Sequence, residues 1–172
     1  MLRTTKNKWE DAVTVKSDSK KPTPEAQLRS YIDRCDPKDQ KLFRSVRAAL
    51  RKRFPTANEL AYDYNNSIVI GYSPTDRGID GIVAISARAT GVALYFNQGH
   101  QLPDPKKILL GSGKQTRYIR IDAAGQLGHP DVEALIVAAI EHATVPLPSK
   151  GNGQLIIQSS AAKRRPRRKS TK

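Results

Sequence analysis

Cysteine is almost missing from this 172-residue chain, which has Cys35 and no other. One thiol cannot build an intramolecular disulfide framework or a cysteine-based zinc site. Asp36 beside it is an anion that raises a thiol pKa, which makes Cys35 a poor nucleophile. Histidine is nearly as scarce. His100, His129 and His142 show no metal spacing such as H-E-x-x-H, and the helical steps from His129 to His142 turn them about 140° apart. No apolar run approaches the roughly 20 residues of a membrane-spanning helix. The start MLRTTKNKWEDAV has no apolar core of a secretory signal, so a soluble, cytoplasmic protein is expected. No G-x-S-x-G elbow or comparable nucleophile signature occurs. The sequence therefore argues against an enzyme and points to no cofactor.

Carboxylates are missing altogether from one stretch. Residues 149–172 hold eight Lys/Arg and no Asp/Glu, whereas residues 25–148 hold sixteen against thirteen. More than half of the net charge of +14 therefore sits in the last two dozen residues. Lys163, Arg164, Arg165, Arg167, Arg168 and Lys169 lie in AAKRRPRRKSTK, where no apolar residue exceeds alanine and no core can form. Such a tail is either a disordered solubilising end or an anchor for non-specific nucleic acid, each cation that meets a phosphate releasing a counterion. Nothing in it fixes the arginine geometry that sequence-specific recognition needs.

What remains is the pattern of a single domain. Residues 1–23 are a polar, flexible arm in which Trp9 stands alone, with no second aromatic to build a stacking platform. Thr23-Pro24-Glu25 and Asp36-Pro37 both read as helix starts with proline at the first helical position. In the second helix Leu42, Phe43, Val46, Ala49 and Leu50 form one apolar stripe, and Lys38, Lys41, Arg44, Arg51 and Lys52 form a solvated opposite face. From Glu59 the period shortens to two. LAYDY, SIVIGY, GIVAISAR, GVALYFN and TRYIRI are closely spaced, which favours antiparallel pairing over crossovers. PDVEALIVAAIEHA is a closing amphipathic helix. The expectation is a two-layer α+β domain over residues 24–147. It has an antiparallel sheet of four or five strands, two N-terminal helices and one C-terminal helix. Residues 148–172 are linker and basic tail, within which QLIIQ is either an edge strand or a loose apolar segment.

One stretch, LLGSGKQTRYIRI, imitates a phosphate loop. The match to G-x-x-x-x-G-K-[ST] fails, because Ile108 stands where the first glycine belongs, Gln115 replaces the hydroxyl, and a strand follows instead of a helix. Alternation along the strand puts Arg117, Ile119 and Ile121 on one face and Tyr118 and Arg120 on the other. Lys114, Arg117, Tyr118 and Arg120 are thus candidates for a surface that meets a small anion or a partner protein, with at most one arginine beside Tyr118. The alternative is that Gly111 and Gly113 only end a short helix and lead into the strand.

In this order, ANELAYDYNNSIVIGY, VALYFNQGHQLPDPKKILLGSGKQTRYIRI and HPDVEALIVAAIEHA resemble the YdhG-like domain family of small bacterial proteins. The resemblance implies an antiparallel sheet with helices on one side, and little about function. Some relatives are proposed to be frataxin-like iron chaperones, which implies iron as a possible cargo. Glu59 and Asp63, on one side of a strand, are the carboxylates that could serve. Hard iron sites need clustered carboxylates or histidines, and this domain is slightly basic where frataxin-type surfaces are densely acidic.

Overall fold

In the computed structural model, which describes residues 21–64 and 66–158, the two proline starts behave alike. The Thr23 hydroxyl accepts from the Ala26 N–H at 3.3 Å ahead of α1 (Pro24–Ile32). The Asp36 carboxylate accepts from the Lys38 N–H at 3.0 Å ahead of α2 (Pro37–Arg53). In each case a side-chain oxygen satisfies an orphan donor of the first turn, and the proline gives up no bond there. Phe43, Val46 and Leu50 of α2 are fully buried, with Leu42 and Ala49 packed at the margin. These are the positions of the apolar stripe.

The strands are β1 (Asn58–Tyr64), β2 (Ser67–Ser73), β3 (Val83–Arg88), β4 (Gly91–Phe96), β5 (Arg117–Ile121) and β6 (Leu155–Gln158), with α3 (Pro130–Glu141) between the last two. Their order across the sheet is β5-β4-β3-β2-β1-β6. The first five pair antiparallel with their sequence neighbours, and β6 adds parallel to β1. The protein is α+β, with three helices and a mixed, mostly antiparallel sheet. Ile70, Ile85, Leu94 and Ile119 lie side by side across β2 to β5 and are buried in one core with the helices. The helices cover that face, and among the described residues no helix covers the other.

Two expectations need correction. The sheet has six strands instead of four or five, because QLIIQ does join it, past the expected domain end at residue 147. Its docking is specific. The Glu59 N–H donates to Gln154 O at 2.8 Å, and the Gly153 N–H donates to Pro55 O at 2.9 Å. A side chain at position 153 has no room, since a Cβ would stand 1.7 Å from the Ala57 carbonyl oxygen. Gly153→Ala is therefore expected to unseat β6 and cost about 1–3 kcal/mol. A lower Tm and faster proteolysis beyond residue 147 check this, and unchanged values for both would refute it.

The second correction concerns the short helix expected to end at Leu109-Leu110 before Gly111. The Asp104 carboxylate instead accepts from the Ile108 and Leu109 N–H groups at 2.9 and 2.8 Å. A local side-chain acceptor of this kind competes with helical bonding. Leu110 then bridges Tyr118 as an extended residue, and Gly111, at φ +105°, turns the chain. The glycines of GSGK serve this loop and not a helix end.

Candidate functional site

Alternation sends every second strand residue to the uncovered face of the sheet. There Tyr95 of β4 pairs with Tyr118 of β5, and their rings stack with centroids 5.2 Å apart. Tyr62 and Tyr64 of β1 form a second stacked pair at 6.1 Å. β4 and β1 are three strand spacings apart, about 14 Å. Between the pairs the floor is made of small residues, and this leaves two hollows. A groove of about 840 Å³ runs over Val69, Gly71 and Ala84 from the Tyr62–Tyr64 wall to Arg88. A smaller hollow of about 290 Å³ lies around Ala93, walled by Tyr95, Tyr118, Arg88 and Arg120. The segment 74–81 closes one end of the face and is itself braced. The Ser73 hydroxyl donates to Arg77 O at 3.0 Å, and the Thr75 hydroxyl donates to Asp80 at 2.7 Å.

The charge on this face is of one sign. Glu59 and Asp63, the carboxylates of the strands, point to the helical side, so no outward strand position among the described residues carries an acid. Arg88 and Arg120 do point outward. Arg88 lies over the Tyr95 ring, 5.7 Å from its centroid. Among the described residues neither guanidinium meets a carboxylate. The arginines of the helical layer contrast with them: Arg34 pairs with Asp63 at 2.7 Å, Arg44 with Asp33 at 2.5 Å, and Arg53 with Glu133.

No protein-family model, curated protein or solved structure matches this chain. Among the described residues no helix is long and apolar enough to cross a membrane.

The four residues of the expected anion surface separate. Tyr118 and Arg120 belong to the uncovered face. Arg117 is turned the other way, and its guanidinium donates to Gly113 O and Thr116 O at 2.6 and 2.9 Å, tying the loop. Lys114 is exposed in that loop, away from the strands. The partners that Tyr118 and Arg120 do have, Tyr95 and Arg88, were not singled out in the sequence. Their signal was the last residue of GIVAISAR and the outward tyrosine of GVALYFN, and it needs the strand register to be recognised. The tail residues Lys163, Arg164, Arg165, Arg167, Arg168 and Lys169, like Trp9, lie outside the described residues.

Glu59 and Asp63 do share a side of β1, but both are occupied by arginines, Glu59 by Arg47 with Arg51 at 3.6 Å, and Asp63 by Arg34. Glu59, only 4% exposed, accepts from Arg47 Nε at 2.9 Å and Nη2 at 2.6 Å, and from the Tyr72 hydroxyl at 3.1 Å. Burial opposes the charge on Arg47, yet its hydrogen bonds to Glu59 and Glu25 hold its pKa above the ordinary value. Burial, reinforced by the Glu59 carboxylate, pushes the Tyr72 hydroxyl well up. These oxygens are committed to donors and are poorly placed to ligate iron. Among the described residues no three His, Cys, Asp or Glu are grouped to hold a metal. The Cys35 thiol is raised as expected, though for another reason: burial comes first and then the Asp39 carboxylate, while Asp36 caps α2.

Proposed function

We propose that this protein is a non-catalytic binding domain of YdhG-like type, acting in the cytoplasm, which lays single-stranded nucleic acid across the uncovered face of its sheet. The observation that carries the reading is the content of that face among the described residues: two stacked tyrosine pairs, two arginines without carboxylate partners, and no acid at an outward strand position. Unstacked bases find aromatic planes there, and the backbone between them finds positive charge over a floor of small residues. Duplexes hide their base faces and gain nothing from the tyrosines. Among the described residues the outward strand positions carry no carboxylate, histidine or thiol, which supports the non-catalytic reading. The basic tail adds electrostatic affinity without selectivity.

The test compares the full chain with a version ending at Gln158. Each is titrated against a labelled single strand and the matching duplex, at several salt concentrations. Both versions are expected to prefer the single strand. Removing the tail should weaken binding to both nucleic acids alike and flatten the salt dependence. Equal binding of strand and duplex by the tailless version, or no binding by it at all, would overturn the proposal.

A further inference from the structure

The hollow around Ala93 has features that a general stacking surface does not require. Ala93 stands between Ser86 of β3 and Arg120 of β5, and its small side chain leaves the space. Arg88 and Arg120 reach this hollow from strands on either side of β4. Arg34, Arg44, Arg47, Arg51 and Arg53 on the helical side each find a carboxylate. Two that converge on one hollow with none nearby leave ten N–H donors for an outside acceptor, about five on each guanidinium. The floor gives a second, independent indication. Ser86 is 1% exposed, and its Oγ has no hydrogen-bond partner among the described residues. A buried hydroxyl without a partner is uncommon in native proteins and asks for one.

We propose that this hollow is a phosphate-binding subsite, in which Arg88 and Arg120 hold the phosphate oxygens and Ser86 Oγ donates to it from below. The subsite deepens the sheet-face reading and rests on it for the identity of its ligand. Phosphate suits the arrangement because a tetrahedral oxyanion accepts from three directions at once, whereas a planar carboxylate pairs with one fork. The Tyr95–Tyr118 stack forms the adjoining wall, so the phosphate is one attached to a planar base. Since Ser86 Oγ is closed to solvent, its engagement requires the side chains above it to lean apart. The phosphate is either an internal phosphodiester or the terminal phosphate of a strand, and the two share this chemistry.

The test uses the full chain, labelled with nitrogen-15, and three probes: inorganic phosphate, a short single strand with a 5′-phosphate, and the same strand with a 5′-hydroxyl. Inorganic phosphate is expected to shift the Ala93 and Arg120 amide signals saturably, and not in the variant Arg88→Gln/Arg120→Gln. That variant, changed only at exposed side chains, should keep its Tm and bind the strand about tenfold more weakly or worse, the value of one charge-assisted hydrogen bond. Ser86→Ala is expected to bind phosphate more weakly while melting at a higher temperature, because it removes a buried hydroxyl with no partner. Preference for the 5′-phosphate assigns a terminal group, and equal binding of both strands assigns an internal one. If phosphate shifts nothing and the double variant binds the strand like the parent, the subsite is wrong and the sheet-face reading survives. If phosphate binds but no strand does, the subsite stands and the sheet-face reading falls. Ser86→Ala with unchanged phosphate affinity would remove the hydroxyl from the site.

Discussion

Arg47→Met is expected to destabilise the domain by about 3–5 kcal/mol, the cost of removing one partner from a buried ion pair. The Arg47 side chain is 13% exposed and Glu59 is 5% exposed, and the guanidinium makes two bonds to Glu59 and two to Glu25. One side chain of α2 thus ties α1 to β1, the strand that also carries β6. Methionine conserves most of the volume, so the loss is electrostatic and not a cavity. It leaves Glu59, buried, with the Tyr72 hydroxyl as its hydrogen-bond donor and Arg51 Nη1 at 3.6 Å as the only remaining cation beside it among the described residues. Adding Glu59→Leu should recover much of the loss, because removing both charges removes the unpaired one. Denaturant unfolding of the two variants decides the matter. A single variant as stable as the parent would show that water reaches Glu59 and that the pair contributes little. The same measurement bears on iron. Loss of iron binding in a Glu59 variant counts as evidence of ligation only if the variant is still folded.

The helices were legible because their signals are local. Thr23-Pro24 and Asp36-Pro37 carry their own capping chemistry, and the stripe of α2 needs only its own residues. The first five strands were legible for the same reason, since period-two alternation is written in each segment. β6 was not, because its pairing with β1 depends on residues almost a hundred positions away, where Gln154 N–H meets Asn58 Oδ1. Four apolar residues look the same with or without that edge. The loop before β5 failed differently: the glycines were read as a helix end, and one carboxylate, Asp104, instead holds the preceding N–H groups in a loop. The site was half visible. Tyr118 and Arg120 could be placed on one face of the candidate surface from their strand alone. Alternation shows that Tyr95 and Arg88 share faces with their own strand neighbours, but not which face the helices leave bare. Only the register joins Tyr118 to Tyr95 and sets Arg88 beside them. Likewise, Glu59 and Asp63 could be placed on one side of β1, while the arginines that meet them come from residues before the sheet begins.

Tyr95→Ala and Tyr62→Ala are each expected to weaken single-strand binding by about 5–150-fold, the worth of one base–aromatic stack of about 1–3 kcal/mol. Tyr95→Ala should lie toward the stronger end, because it also removes the ring that Arg88 lies on and frees that guanidinium to wander. Phenylalanine at either position keeps the stacking plane and should bind nearly like the parent. Both tyrosines are half-buried on a face that no helix of the described residues covers, so the fold should tolerate the changes with a small loss of Tm. The separation of the two platforms, about 14 Å across three strand spacings, makes a sharper demand. For a strand long enough to reach both, the two losses should add, since the sites share no partner at that distance. A dinucleotide cannot span the floor, so it should respond to one substitution and not to the other. Competition titrations with strands of increasing length, run on the single and double variants, measure this. Additive losses for a dinucleotide would mean that the platforms act at long range or through folding. No loss at either tyrosine in a variant of normal Tm would mean that the bases stack elsewhere, leaving the arginines as the only part of the face that binds.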